Sequence, residues 1–76
     1  MNVDRKVARV TRCYELTRRE RQVLEHLVRG RTEKRVAAKL GIRLDTVRTH
    51  VAHIYLKLGV HSRSELFALI YDVDDG

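Results

Sequence analysis

TEKRVAAKLGIRLDTVRTHVAHIYLKLGV, residues 32–60, contains two helical patterns separated by a three-residue turn that begins with a glycine. The first predicts a helix over 33–40, ended by Gly41, with one apolar face: Val36, Ala37 and Leu40. The second predicts a helix over 44–58, ended by Gly59, with apolar residues three or four apart: Leu44, Val47, Val51, Ile54 and Leu58. Two helices joined by a short glycine-containing turn are typical of a helix-turn-helix unit.

One further helical pattern precedes this unit in the sequence and another follows it, and each begins with residues typical of a helix amino terminus. Thr17 and Glu20 have the spacing of a capping box, and the apolar stripe after them predicts a helix over 18–29. Ser62 and Glu65 repeat the spacing ahead of a helix over 63–71 that is apolar on nearly every face. The sequence therefore predicts an all-α fold, with a three-helix core and a C-terminal helix for self-association.

The predicted helices occupy a domain over 16–71, flanked by two short segments. Residues 1–15 lack a clean period, and we interpret them as a basic N-terminal arm, with a short helix or disorder as the alternatives. Residues 72–76 are an acidic tail. The whole chain has 76 residues, which is enough for one hydrophobic core and too little to enclose the pocket of an enzyme.

Positive charge is concentrated in one stretch of the chain. The net charge is +6, and all 16 lysines and arginines lie between Arg5 and Arg63. Such a basic stretch attracts a polyanion, so nucleic acid is favoured over a merely solvated surface or an anionic membrane surface. One cysteine, no long apolar run and no signal peptide indicate a cytoplasmic protein without a membrane span.

The outer face of helix 44–58 carries the candidate DNA-reading residues. With Val47 turned towards the core, the opposite half of the helix presents Arg48, Thr49 and Ala52. Arg48 has the geometry to donate two hydrogen bonds to guanine, and Thr49 and Ala52 suit contact with a thymine methyl group. A solvated or phosphate-bound arginine is the alternative for Arg48. Leu56 lies on the same outer half without an evident role.

Three ordered motifs now carry a family resemblance: Leu16-Thr17-x-Arg19-Glu20-Arg21, Thr46-Val47-Arg48-x-His50 and Lys57-Leu58-Gly59-Val60-x-x-Arg63-x-Glu65. Together they resemble the LuxR/GerE-type helix-turn-helix DNA-binding domain, in the form of a stand-alone small regulator. The resemblance implies four helices, the third in the major groove and the fourth at a homodimer interface. It also implies base reading by Arg48, Thr49 and Ala52, and backbone contacts by Thr32, Lys34, Thr46 and Lys57. The apolar pattern of the last helix offers the candidate dimer contacts Leu66, Phe67, Leu69 and Ile70.

The sequence departs from the family pattern at three positions. Arg43 replaces the usual capping serine, which removes a helix cap and adds a cation that could reach a DNA phosphate. Arg35 replaces a capping-box glutamate, and Ala52 stands where some relatives place a lysine. These changes favour phosphate contact and leave the preferred DNA sequence open.

The resulting hypothesis is a sequence-specific regulator of transcription that binds double-stranded DNA as a homodimer, with RNA polymerase as a candidate further partner. The alternative is an interaction protein that sequesters a related regulator through helix 63–71 without binding DNA. A sigma-factor region is a weaker alternative. No catalytic constellation is evident, and we expect no enzyme and no cofactor. His50 and His53 lack a nearby cysteine or carboxylate in sequence, so no metal site is predicted either.

Overall fold

Five helices make up the part of the chain that the computed structural model describes, residues 3–72, with the side chain of Asp72 excluded. They are α1 Val3–Cys13, α2 Arg18–Leu27, α3 Glu33–Leu40, α4 Leu44–Leu58 and α5 Arg63–Asp72. The predicted all-α fold is confirmed, and α3 and α4 have the predicted bounds. The rest of the predicted acidic tail lies outside the described residues. No helix within 3–72 is long and apolar enough to cross a membrane.

The start of α2 is fixed by the predicted capping box. The Glu20 N–H donates to Thr17 Oγ1 at 3.1 Å, and the Thr17 N–H donates to Glu20 Oε1 at 2.9 Å. Both contacts satisfy backbone donors that the first helical turn cannot. The helix ends at Leu27, two residues earlier than expected, because the chain then turns towards Gly30 at φ 82°.

The turn between α3 and α4 sets the geometry of the helix-turn-helix unit. Gly41 is left-handed, with φ 67°, and its N–H donates to the Ala37 carbonyl. Open space surrounds this position, so an added Cβ would meet no clash. The left-handed backbone conformation is what disfavours any residue other than glycine there. After the turn α4 begins at Leu44, and the Arg43 side chain makes no capping hydrogen bond. As the sequence predicts, α4 therefore lacks a side-chain cap at position 43.

The core is a single cluster to which every helix contributes. The helices α2 and α4 pack on each other, with α3 against both, and α1 packs on α2 and α5. Fully buried members of this cluster include Val23 and Leu24 of α2, Val36 of α3, and Val47 and Ile54 of α4. The inner face of α4 is thereby occupied, which leaves its outer face towards solvent.

The N-terminal segment forms the helix α1 and not a basic arm. This is the short helix that the sequence analysis names as an alternative. Val7 and Val10 are fully buried, and Val3 packs against the same core. Lys6 is also buried, and its Nζ donates to the Tyr71 carbonyl at the end of α5, 2.9 Å away. The helix is stabilised because its apolar stripe packs against the core. In the sequence this stripe is hard to recognise because charged residues interrupt it.

Two features of α5 differ from the expectations. The Glu65 N–H donates to Ser62 Oγ, but the Glu65 carboxylate accepts from the His61 N–H, so only half of the second capping box forms. Leu66 and Ile70 are fully buried in the core of this same chain. The interface predicted on α5 is corrected accordingly: these two side chains already pack inside the chain, and Phe67 and Leu69 are left half-buried.

Candidate nucleic-acid interface

The outer face of α4 presents all three residues expected to read bases. Arg48, Thr49 and Ala52 are exposed, while Val47 and Val51 on the opposite side are buried. Arg48 Nε lies 3.6 Å from a Glu33 carboxylate oxygen on α3, an exposed pair that holds the guanidinium only weakly. The Thr49 hydroxyl donates to the Asp45 carbonyl, one turn earlier in α4, at 3.1 Å.

Four of the expected phosphate-contacting residues lie at the first turns of α3 and α4. Thr32, Lys34, Arg43 and Thr46 are all exposed. The Thr32 hydroxyl caps α3 by accepting from the Arg35 N–H at 3.2 Å. The Arg43 side chain is 86% exposed, and its guanidinium lies 3.9 Å from the Asp45 carboxylate. Helix amino termini are suited to bind anions because their backbone N–H groups and the helix dipole favour negative charge.

Lys57 has an internal partner that the sequence does not predict. Its Nζ lies 2.8 Å from Glu20 Oε1 and 3.4 Å from the Glu15 carbonyl, and its side chain is 36% exposed. Glu20 is buried, so its charge must be compensated within the protein. The lysine expected to contact the DNA backbone is thus also the counterion of a buried carboxylate on α2.

The environment of Glu20 keeps its carboxylate ionised. Burial alone would raise the pKa of Glu20, but the hydrogen bond from Lys57, the Thr17 N–H and the nearby charges of Lys57 and His53 together lower it. His53 Nδ1 lies 3.7 Å from the second carboxylate oxygen. One side chain therefore caps α2 and holds the last turns of α4. Glu20 and Lys57 both belong to the motifs quoted above. Their spacing in the sequence does not predict that their side chains come into contact.

A second polar cluster supports the segment ahead of α3. Arg63 donates to the Arg31 carbonyl at 2.7 Å, and the Arg31 guanidinium lies 2.7 Å from His26 Nδ1. Burial, and then the charges of Arg31 and Arg29, lower the pKa of His26. The neutral ring can accept the hydrogen bond from Arg31. This chain of contacts joins α5 to α2 through Arg31, the residue that precedes the α3 cap Thr32.

Within residues 3–72, no three His, Cys, Asp or Glu side chains come together as metal ligands. His50 is half-buried and His53 pairs with Glu20, and Cys13 is exposed on α1.

The chain matches the family described as "Bacterial regulatory proteins, luxR family" over residues 14–70. It is 54% identical over 54 residues to a putative HTH-type transcriptional regulator of Aeromonas salmonicida, covering 71% of this chain and 28% of that protein. It is 48% identical over 50 residues to the spore germination protein GerE of Bacillus subtilis, covering 66% of this chain and 68% of GerE. No solved structure matches the chain significantly.

Several similar proteins are much longer than the matched segment. The transcriptional regulatory protein UhpA of Escherichia coli is 46% identical over 57 residues, which are 75% of this chain and 29% of UhpA. The chain thus spans less than a third of the length of this relative and of the Aeromonas protein. These relatives are named as regulators and not as enzymes, in agreement with the sequence analysis.

Proposed function

Because the chain belongs to the LuxR family of bacterial regulatory proteins, we propose that it is a sequence-specific DNA-binding regulator of transcription. In this proposal α4 enters the major groove, and Arg48, Thr49 and Ala52 contact base edges. We further propose that the protein acts in the cytoplasm, together with RNA polymerase. The relatives support the regulatory part of the proposal, since they are named as regulators of transcription.

The observation that carries the proposal is the division of α4 into two faces. Its inner face is anchored by fully buried Val47 and Ile54, and its outer face presents an exposed arginine, an exposed threonine and an exposed alanine. A helix of 15 residues is about 22 Å long, and the major groove admits an α-helix. Arg48 suits a bidentate contact with guanine O6 and N7, the commonest specific contact of this kind.

Phosphate contacts would position α4 in the groove. We propose Thr32, Lys34, Arg43 and Thr46 for this role, because they are exposed at the starts of α3 and α4. Lys57 joins them in the proposal through its third N–H: an ammonium group has three donors, of which Glu20 and the Glu15 carbonyl take two.

A homodimer would bind two half-sites about one helical turn apart. The contact on α5 is proposed for Phe67 and Leu69, the two half-buried apolar residues of the predicted set. The Phe67 ring is supported from inside the chain by an edge contact with Tyr71 and by the Arg63 guanidinium. Leu66 and Ile70 would contribute indirectly, by anchoring α5 to the core.

The proposal is tested by selecting bound duplexes from a random pool, repeated at stepwise increased salt. Enrichment of a paired half-site supports sequence reading by a dimer, and the slope of affinity against salt counts the phosphates neutralised. A single half-site contradicts the dimer, and binding without enrichment contradicts sequence reading. Absence of binding at low salt overturns the proposal and leaves the interaction protein acting through α5.

A further inference from the structure

We propose that Leu56 is a specificity-determining residue that contacts the 5-methyl group of a thymine in the major groove. The inference rests on the proposed function, since it requires α4 to lie in the groove. It adds a base-reading residue beyond Arg48, Thr49 and Ala52, nearer the carboxyl end of α4.

The exposure of Leu56 is the first observation. Its side chain is 81% exposed, and the only other large apolar residue exposed within residues 3–72 is Tyr14, at 37%. Burial of a leucine from water is favourable, so a partner that covers this side chain would gain binding energy. At this exposure, packing against the rest of residues 3–72 does not explain why an apolar side chain stands at this position.

The direction of Leu56 is the second observation. A helix turns 100° per residue, so the seven residues from Thr49 bring Leu56 to within about 20° of the Thr49 direction. The four residues from Ala52 bring it to within about 40° of the Ala52 direction on the other side. Any orientation of α4 that directs Thr49 and Ala52 at the bases therefore directs Leu56 at them as well.

The spacing along the helix identifies how far away the contacted base lies. At a rise of 1.5 Å per residue, Leu56 is about 6 Å beyond Ala52 and about 10 Å beyond Thr49. Base pairs are about 3.4 Å apart. Where the helix follows the groove, Leu56 reaches a base pair about three steps from the one that Thr49 contacts and about two from the one that Ala52 contacts.

The surroundings of Leu56 fit a nucleic acid. A shallow depression beside it is lined by Ala52, Tyr55, Leu56, Gly59, Val60 and His61, without a carboxylate. His53 and Lys57 are its charged or titratable neighbours on α4, and both lie against Glu20. The depression is thus continuous with Ala52, and no carboxylate lines it; the Glu65 carboxylate lies beside it, 3.6 Å from His61 Nδ1.

The chemistry of the groove selects thymine. Thymine alone presents a methyl group there, and the other bases present hydrogen-bonding atoms. Leucine covering those atoms would remove their water without replacing the hydrogen bonds, which costs free energy. Leu56 therefore favours thymine by attraction and disfavours the other bases by desolvation.

The test compares the wild-type chain with Leu56→Ala on the selected half-site, with each thymine replaced in turn by deoxyuridine. We expect one replacement, about three base pairs from the position sensitive to Thr49, to weaken wild-type binding about three- to fivefold, as burial of one methyl group predicts. The same replacement should leave Leu56→Ala unaffected. The control Arg48→Ala should bind more weakly but retain the full effect of that methyl group.

Three results would overturn the inference. The first is a selected half-site with no thymine at the base pair expected to contact Leu56, and the second is wild-type binding that deoxyuridine leaves unchanged at every position. The third is a loss on methyl removal that is equal in Leu56→Ala and the wild-type chain. Unchanged DNA binding by Leu56→Ala would assign the patch to a protein partner instead. Each of these leaves the proposed function intact, because the wild-type chain still binds its site. Failure of the wild-type chain to bind any duplex would overturn both. Equal melting temperatures confirm that the exposed substitution leaves the fold unchanged.

Discussion

Lys57 Nζ lies 2.8 Å from the buried Glu20 carboxylate, although the two residues are 37 positions apart in the chain. Glu20 also accepts from the Thr17 N–H, so a single carboxylate fixes both the start of α2 and the last turns of α4. The orientation of the proposed reading helix therefore depends on a polar contact as well as on apolar packing.

Removal of Lys57 should destabilise the fold because it leaves a buried carboxylate without its charged donor. We expect Lys57→Met to lower the free energy of unfolding by about 1–3 kcal/mol, measured by urea denaturation. The exposed Lys39→Met is the matched control and should change it by less than about 0.5 kcal/mol. With Glu20→Gln, the double variant should lose less than the sum of the two single losses. Simple additivity would show that the contact contributes no coupling.

Acid should destabilise the wild-type chain partly through Glu20. The pKa of Glu20 is lowered in the folded chain, so the folded state binds fewer protons there than the unfolded state. This stabilisation is complete above the unfolded pKa of 4.5 and is lost as the pH falls through the folded value. We expect Glu20→Gln to have a shallower loss of stability below pH 4.5, measured by denaturation at several pH values. Parallel curves for the two proteins would contradict it.

Arg48→Ala should separate base reading from charge. We expect a loss of about 1–3 kcal/mol in binding the selected site and a much smaller loss on random duplex. Fold stability should hardly change, because the contact with Glu33 is exposed. Titration of both duplexes at one salt concentration is the measurement. An equal loss on both would make Arg48 a phosphate contact.

Arg43 can be tested by two substitutions that share the loss of charge. Arg43→Ser restores a side chain that can cap α4 and should raise the free energy of unfolding by about 1 kcal/mol over Arg43→Ala. Both variants should bind all duplexes more weakly, with the slope of log affinity against log salt reduced by about 0.9. If only one sequence is weakened, Arg43 reads bases instead.

The proposed dimer contact is tested by comparing neighbours on α5. Phe67→Ala should reduce cooperative binding to paired half-sites while the fold stays intact, measured by gel shift and sedimentation. Leu66→Ala, by contrast, should cost about 2–5 kcal/mol of stability because that side chain is in the core. Undiminished cooperativity in Phe67→Ala would move the dimer contact away from this side chain.

The sequence predicts α3 and α4 to the residue because strong apolar periodicity ends at a glycine in each case. It leaves α1 open because Val7 and Val10 stand among charged residues and because Lys6 is buried against a carbonyl that only the fold supplies. The error on α5 follows from this. If α1 is not recognised as a helix, only a second molecule can cover an all-apolar α5. The sequence therefore predicts Leu66 and Ile70 at an interface, whereas they pack inside the chain.

The candidate site divides in the same way. Helical geometry alone predicts which residues of α4 are exposed, including Arg48, because one face must pack. It cannot predict that Lys57 has a partner on α2, since a contact between side chains 37 positions apart depends on how the helices pack. Periodicity therefore identifies the face, and tertiary structure decides which side chains on it remain available.

The contact of Lys6 with the Tyr71 carbonyl joins the first and last described helices, 65 positions apart. Because the acceptor is a backbone carbonyl in the last turn of α5, the order of the amino-terminal helix depends on that turn. Fraying of the turn takes this acceptor away from the buried Lys6 ammonium group, so loosening one end of the domain loosens the other.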